Sequence, residues 1–324
     1  MTKHLLLLAC LLSFSIIDQL ATAQVRGQLV GSEKIRAKSR NEIKEFLSSA
    51  VDVPSFIIGI FFPTRNDVDV YKIRYYTTDP ANKLVIATGA VYVPRNYNCR
   101  ATLVTYLHGT ITDNQSALSL GGGDEDFVGL SFASSGRYIA FLPDYLGLGA
   151  GAETFDYHPY QHLASTANTS VDGIAAARTF CGQMRLRLND QNFISGYSQG
   201  GSAVLAGVRE LQRANPYRLN IPLAIAGSGP YALSSVQKDF VFDNPDYQNP
   251  SFLPYILQAY ERIYPDVAQL IDNNQVFAPA YQNVFSLFDG TKTVEQIDSL
   301  LPDTWKDIFQ QPFVADVDNN PSNP

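Results

Sequence analysis

The clearest regularity in the chain is a change of rhythm. Val70-Tyr71-Lys72-Ile73-Arg74-Tyr75 alternates between apolar and polar positions, Thr78-Asp79-Pro80 marks a turn, and residues 84–93 resume extended character as far as Pro94. That pattern predicts an antiparallel hairpin. Beyond it, residues 103–107, 138–142, 193–194 and 223–226 are short apolar runs separated by stretches long enough for helices. Such spacing belongs to an α/β protein with a mostly parallel sheet flanked by helices. A helix is predicted over about 166–180, with Val171, Ile174, Ala175 and Arg178 on nearby faces and packed on the sheet. Ahead of the hairpin, Ile43, Phe46 and Leu47 predict a leading helix, and the run 56–62 an apolar loop covering the core.

From about Val236 no further β-run occurs. Phe252, Tyr255, Ile256, Tyr260 and Tyr264 recur at helical spacing, and Thr293-Val294-Glu295-Gln296 reads as a capping box ahead of Ile297, Leu300 and Leu301. This region is expected to form a helical cap over the carboxyl edge of the sheet, ending in a polar, unstructured tail at 316–324. The chain therefore divides into a leader (1–23), a core (24–235), and a cap with its tail (236–324).

One stretch organises the core. Asn192-Phe193-Ile194-Ser195-Gly196-Tyr197-Ser198-Gln199-Gly200-Gly201 carries a β-run into a Gly-x-Ser-x-Gly turn, and a helix follows with Val204, Leu205, Val208 and Leu211 at helical spacing up to Asn215-Pro216. A serine forced into so sharp a strand-to-helix corner stands clear of the backbone, which suits a nucleophile. A plain structural turn is the alternative reading. A serine acting on a carbonyl also needs donors for the oxyanion. Tyr106-Leu107-His108-Gly109-Thr110 places a His-Gly turn at the end of a neighbouring strand, so the amides of Thr110 and Gln199 are the expected donors.

The 324 residues are 45% hydrophobic and 17% charged with a net charge of −7, enough for one large core plus a cap. No basic run or stripe points to nucleic acid. Met1-Thr2-Lys3-His4 precedes an apolar run at 5–17, and Ala21-Thr22-Ala23 before Gln24 is a small-x-small cleavage signal. A secretory signal peptide is expected, with Gln24 as the mature start and a secreted or periplasmic product. The run is too short for a transmembrane anchor and no other segment is long enough. Leu7-Leu8-Ala9-Cys10 leaves too short an apolar stretch ahead of its cysteine to serve as a lipoprotein box. Loss of the leader would leave Cys99 and Cys181, a candidate disulfide in an oxidising compartment, with two unpaired thiols as the alternative.

With Pro143-Asp144-Tyr145-Leu146-Gly147-Leu148-Gly149 and Gly227-Ser228-Gly229-Pro230-Tyr231, the set of motifs over about 70–233 resembles the α/β-hydrolase superfamily, in particular its secreted, capped lipase and esterase branch. The resemblance implies hydrolysis of a small-molecule ester with an apolar acyl or aryl group, through an acyl-enzyme on Ser198, with no cofactor. A peptidase or an acyltransferase would use the same intermediate. It also implies an Asp and then a His after the cap. The chain departs from that pattern, because His4, His108, His158 and His162 are its only histidines and all precede Ser198. The last strands of such a sheet are missing as well. Two explanations stand: the sequence stops before the acid and base, or the chain is a non-catalytic or degenerate relative that binds without cleaving. Truncation is expected, and the chain as it stands should be nearly inert.

Two other motifs carry no chemistry. Gly147-Leu148-Gly149-Ala150-Gly151-Ala152 satisfies a dinucleotide pattern on paper, but Pro143-Asp144 separates it from its strand. Gly121-Gly122-Gly123 runs into Asp124-Glu125-Asp126, which would repel phosphate, and is expected to be a flexible loop. No spacing suggests a metal site.

Overall fold

The structure, a computed structural model, describes residues 24–50 and 62–320. The expected leader, the apolar run up to residue 61 and the last four residues of the tail lie outside the described residues. Seven strands form one sheet: β1 (Leu29–Lys38), β2 (Val68–Thr78), β3 (Leu84–Pro94), β4 (Ala101–Leu107), β5 (Tyr138–Pro143), β6 (Leu188–Tyr197) and β7 (Asn220–Gly227). Their spatial order is β1-β2-β3-β5-β4-β6-β7. The hairpin β2–β3 is antiparallel with Thr78 opposite Leu84, and β5, β4, β6 and β7 run parallel to one another.

The helices of the first two thirds are α1 (Arg40–Ala50), α2 (Asp126–Ser134), α3 (Leu163–Gln183) and α4 (Gln199–Arg213). Alternation along the strands feeds two cores. Ile73, Tyr75, Val91, Leu103 and Phe141 face α3 and α4, where Val171, Ile174, Phe180 and Val204 are buried. Val68, Val70, Tyr92 and Leu142 turn the other way onto Ile43 and Leu47 of α1 and Leu130 of α2. Each such side chain contributes about 1.5–3 kcal/mol by leaving water.

The remaining helices are α5 (Lys238–Asp243), α6 (Phe252–Ile263), α7 (Pro265–Asp272), α8 (Val294–Asp298) and α9 (Gln311–Asn319). They gather their own cluster around Phe277, Ile297, Trp305 and Ile308. The expected capping box opens α8: Thr293 Oγ1 accepts from the Gln296 amide at 3.4 Å, and Gln296 Oε1 accepts from the Thr293 amide at 2.9 Å.

Three expectations are corrected, and one strand is new. Residues 29–38 form a strand that the pattern does not mark, because β1 lies at the sheet edge with no buried side chain and is held by its ladder to β2. The tail is helical through Asn319, where Phe313 and Val314 dock α9 on the C-terminal cluster. The loop at 121–126 has contacts that the sequence does not announce: Arg36 donates to the Gly121 carbonyl at 3.3 Å and pairs with the Asp126 carboxylate, which also accepts from Tyr92 Oη at 2.6 Å. The expected disulfide is not formed. Cys181 is buried in α3, Cys99 is exposed with its thiol 3.4 Å from the Gly136 carbonyl, and both are free.

Among the described residues strand β7 pairs with β6 alone, and Leu223 and Ile225 are 43% and 56% exposed on one face. An open apolar edge is a template for another strand. Ile225→Lys is expected to slow self-association of this chain several-fold, read by light scattering at matched concentration. Unchanged scattering would show that the edge is harmless.

Candidate active site

β6 delivers Ser198 to the carboxyl end of the sheet in a backbone conformation of φ 56° and ψ −123°, one that non-glycine residues adopt only under strain. The corner is closed on both sides: the Ser198 amide donates to the Gly227 carbonyl at 3.0 Å, and the Ser198 carbonyl accepts from Gly201 at 2.9 Å. Glycine is required at 200, because a Cβ there would overlap the Leu107 carbonyl. The serine is partly exposed, as a nucleophile must be, while Gln199 and Gly200 behind it are buried.

The register of β4 against β6 sets Leu107 opposite Gly196, so the turn His108-Gly109-Thr110 leaves its strand beside the serine corner. A side chain at Gly109 would stand 3.8 Å from Ser198 Cβ. Among the described residues no hydrogen bond takes up the amide of Thr110 or of Gln199. Thr110 Oγ1 lies 2.8 Å from Tyr160 Oη, which ties the turn to the segment ahead of α3. The structure thus brings Ser198, Thr110 and Gln199 to one corner.

His158 is buried, with 4% of its surface accessible. Its Nδ1 lies 2.9 Å from the Leu146 carbonyl, which can only accept, so Nδ1 carries the proton. Nε2 is left as an acceptor and receives the Gln199 side-chain amide at 2.7 Å. The ring stacks on Tyr145, whose far side meets His108. Burial lowers the pKa of His158 to about 4. The ring is therefore anchored on Leu146 through Nδ1 and holds Gln199, the residue after the nucleophile, through Nε2.

This has a consequence for stability. The unfolded chain protonates the imidazole below its ordinary value of about 6.5, whereas the folded chain resists until about 4. The neutral ring's contribution is complete above pH 6.5 and is lost as pH falls from there to about 4, by roughly 3 kcal/mol. Burial pushes the Asp144 and Asp172 carboxyls up, which works in the opposite direction, so the contrast must be taken against a variant. Urea midpoints of the wild type are expected to drop more steeply between pH 7 and 4 than those of His158→Asn. Parallel curves would refute the assignment.

The C-terminal helices lie over this corner. The Asn114 amide donates to the Gly290 carbonyl at 2.9 Å, Thr112 Oγ1 donates to the Lys292 carbonyl at 2.7 Å, and Tyr160 stacks on Tyr255, which stacks on Phe288. Between them and the core runs a cleft of about 260 Å³ that reaches His158 but is not lined by Ser198. Its walls combine the rings of Tyr255, Phe285 and Phe288 with Asp156, Arg262 and Asp289. Among the described residues no cluster of His, Cys, Asp or Glu could hold a metal, and no helix is long and apolar enough to cross a membrane.

A mostly parallel sheet with helices on both faces, a strained serine at the end of β6 and a His-Gly turn beside it define an α/β-hydrolase fold of the lipase and esterase kind. Solved structures agree. A candidate hydrolase from Legionella pneumophila subsp. pneumophila is similar at a TM-score of 0.80 and 26% identity, covering 90% of this chain and 75% of that one. The rice cell wall degrading esterase LipA from Xanthomonas oryzae is similar at 0.78 and 26%, covering 93% and 77%. Candida antarctica lipase A in its closed state shares the fold at 0.60 and 16%, covering 90% and 62%. No protein-family model and no curated protein matches the chain. At the level of class, these likenesses support a hydrolase acting on small-molecule esters.

Proposed function

We propose that this protein is a secreted serine ester hydrolase, a lipase or carboxylesterase, that works through an acyl-enzyme on Ser198. The observation that carries the reading is the strained Ser198 beside a turn whose Thr110 amide, like that of Gln199, is free to donate. Ser198 Oγ gives its proton to the base and bonds to the carbonyl carbon, the carbonyl electron pair moves onto oxygen between the two amides, and that pair returns as the bond to the alcohol breaks and the alcohol takes the proton from the base. Water then releases the acid and restores the serine. Each oxyanion donor lowers the barrier by about 2.7–4 kcal/mol. The ester is expected to carry an apolar acyl or aryl group; the cleft that reaches His158 sets the rings of Tyr255, Phe285 and Phe288 among the polar Asp156, Arg262 and Asp289 and stops short of Ser198.

The base is the remaining requirement. None of the described histidines bonds to Ser198: His158 is engaged at both nitrogens, His108 Nδ1 donates to the Gly109 carbonyl, and His162 Nδ1 lies against Ser165 Oγ. We therefore assign the acid and base to sequence beyond residue 324, a reading supported by the open apolar edge of β7.

The test is reaction with a fluorophosphonate probe. The chain extended by the codons that follow residue 324 is expected to label at one site, and Ser198→Ala to abolish it. Labelling unaffected by Ser198→Ala would defeat the proposal. So would an extended chain that neither labels nor supplies an Asp and a later His, and the scaffold would then be a binding protein.

A further inference from the structure

Two hydrogen bonds fix the peptide units on either side of Gly109. Its N–H donates to Glu125 Oε1 at 3.0 Å, and its carbonyl accepts from His108 Nδ1 at 2.6 Å. A trans peptide points its C=O and N–H in opposite directions, so the second bond also sets the direction of the Thr110 N–H. Glu125 is the less expected partner. It comes from the run Gly121-Gly122-Gly123-Asp124-Glu125-Asp126, which the sequence marks only as a loop. Its other oxygen, Oε2, is buried. A Cβ built on Gly109 would meet Glu125 Oε1 at 3.0 Å and Ser198 Cβ at 3.8 Å. The carboxylate and the nucleophile thus flank the same glycine. Burial and the charge of Glu125, which also stands within hydrogen-bonding reach of the phenol, push Tyr106 up and keep it protonated.

We propose that Glu125 is a positioning residue for the oxyanion turn: by accepting from the Gly109 amide it holds His108-Gly109-Thr110 where the Thr110 N–H meets the oxygen that turns negative when Ser198 attacks. The inference rests on the ester-hydrolase reading. What the turn needs from residue 125 is an acceptor oxygen at that reach. The negative charge itself opposes a neighbouring oxyanion. Glutamine supplies the oxygen without the charge, while aspartate keeps the charge and withdraws the oxygen by one methylene, about 1.5 Å. The two substitutions therefore separate reach from charge.

The experiment compares the chain extended by the codons that follow residue 324 with its Glu125→Gln, Glu125→Asp and Glu125→Ala variants by two readouts. One is amide hydrogen exchange across residues 106–112. The other is the maximal rate of fluorophosphonate labelling and the probe concentration at half that rate, since phosphonylation of serine builds negative charge on the oxygen facing the same donors. Glu125→Asp and Glu125→Ala are expected to speed exchange and to lower the maximal labelling rate about 10²-fold, the loss typical of one oxyanion donor. The half-saturating concentration should stay within about threefold, and Glu125→Gln should match the wild type within about threefold in every reading, as removal of a purely electrostatic partner would not. Wild-type labelling and exchange in Glu125→Asp, or a loss in Glu125→Gln equal to that in Glu125→Asp, would overturn the proposal. Should Glu125→Ala fail to fold, the Asp and Gln pair decides alone. Should the unaltered extended chain not label, or its Ser198→Ala variant label equally, the hydrolase reading falls, and exchange alone decides whether Glu125 holds the turn.

Discussion

Ser198→Gly is expected to abolish fluorophosphonate labelling while raising the stability of the chain by about 1 kcal/mol. The two effects share a cause. At φ 56° and ψ −123° the residue sits where a Cβ is crowded by its own backbone, a strain worth about 1–3 kcal/mol. Glycine relieves it and gives back about 0.5–1 kcal/mol as extra freedom of the unfolded chain. The hydroxyl disappears with the side chain, so the gain in stability comes with complete loss of the nucleophile. Ser198→Ala loses the hydroxyl but keeps the Cβ, and it should show no such gain. Urea unfolding of the three proteins at one pH measures the contrast. A glycine variant no more stable than the alanine variant would mean that the corner is unstrained.

That strain was legible before any coordinates, because two glycines bracketing a serine between a β-run and a helix permit few other backbones. The hairpin and the parallel strands were legible for a similar reason: residues 70–75 and 103–107 write their burial into their order, one by alternation and one by continuous apolarity. β1 was not, since its Glu33, Lys34 and Arg36 pair with Lys72, Asp69 and Asp126 and the strand is held by backbone hydrogen bonds that no side-chain pattern reports. Glu125 and His158 were missed because their roles arise from chain return. One acts on a residue 16 positions earlier and the other on a residue 41 positions later. A local reading of Gly-Gly-Gly-Asp-Glu-Asp finds a loop, and a local reading of Tyr157-His158-Pro159 finds a polar turn. The only sequence signal for either was a titratable side chain beside residues that could enclose it. The disulfide expectation failed on the same ground: two cysteines remaining after a leader say how many thiols there are, and nothing about where α3 turns Cys181.

Two glycines of α4 put the packing at the serine corner to a sharper test, because the same substitution should have opposite signs at the two. A Cβ on Gly200 would overlap the Leu107 carbonyl oxygen and stand 2.6 Å from its carbon and 2.9 Å from the His108 carbonyl oxygen. All three are backbone atoms at the end of β4, so nothing flexible can yield, and the start of the helix must move away from the strand that carries the oxyanion turn. A Cβ on Gly207, two turns further along, would find Ile194 Cδ1 at 3.7 Å and Val171 Cγ2 at 4.0 Å, which is ordinary contact. Gly207→Ala is expected to stabilise the chain by about 1 kcal/mol through helix propensity. Gly200→Ala should cost about 3 kcal/mol or more, as overpacking against immovable atoms does. It should also slow Ser198 labelling about 10²-fold, because a shift on the order of 1 Å between nucleophile and oxyanion donor is enough for such a loss. Chemical denaturation and labelling of both variants decide the matter. If Gly200→Ala were as stable and as reactive as Gly207→Ala, the close approach of α4 to β4 would have no hold on the site.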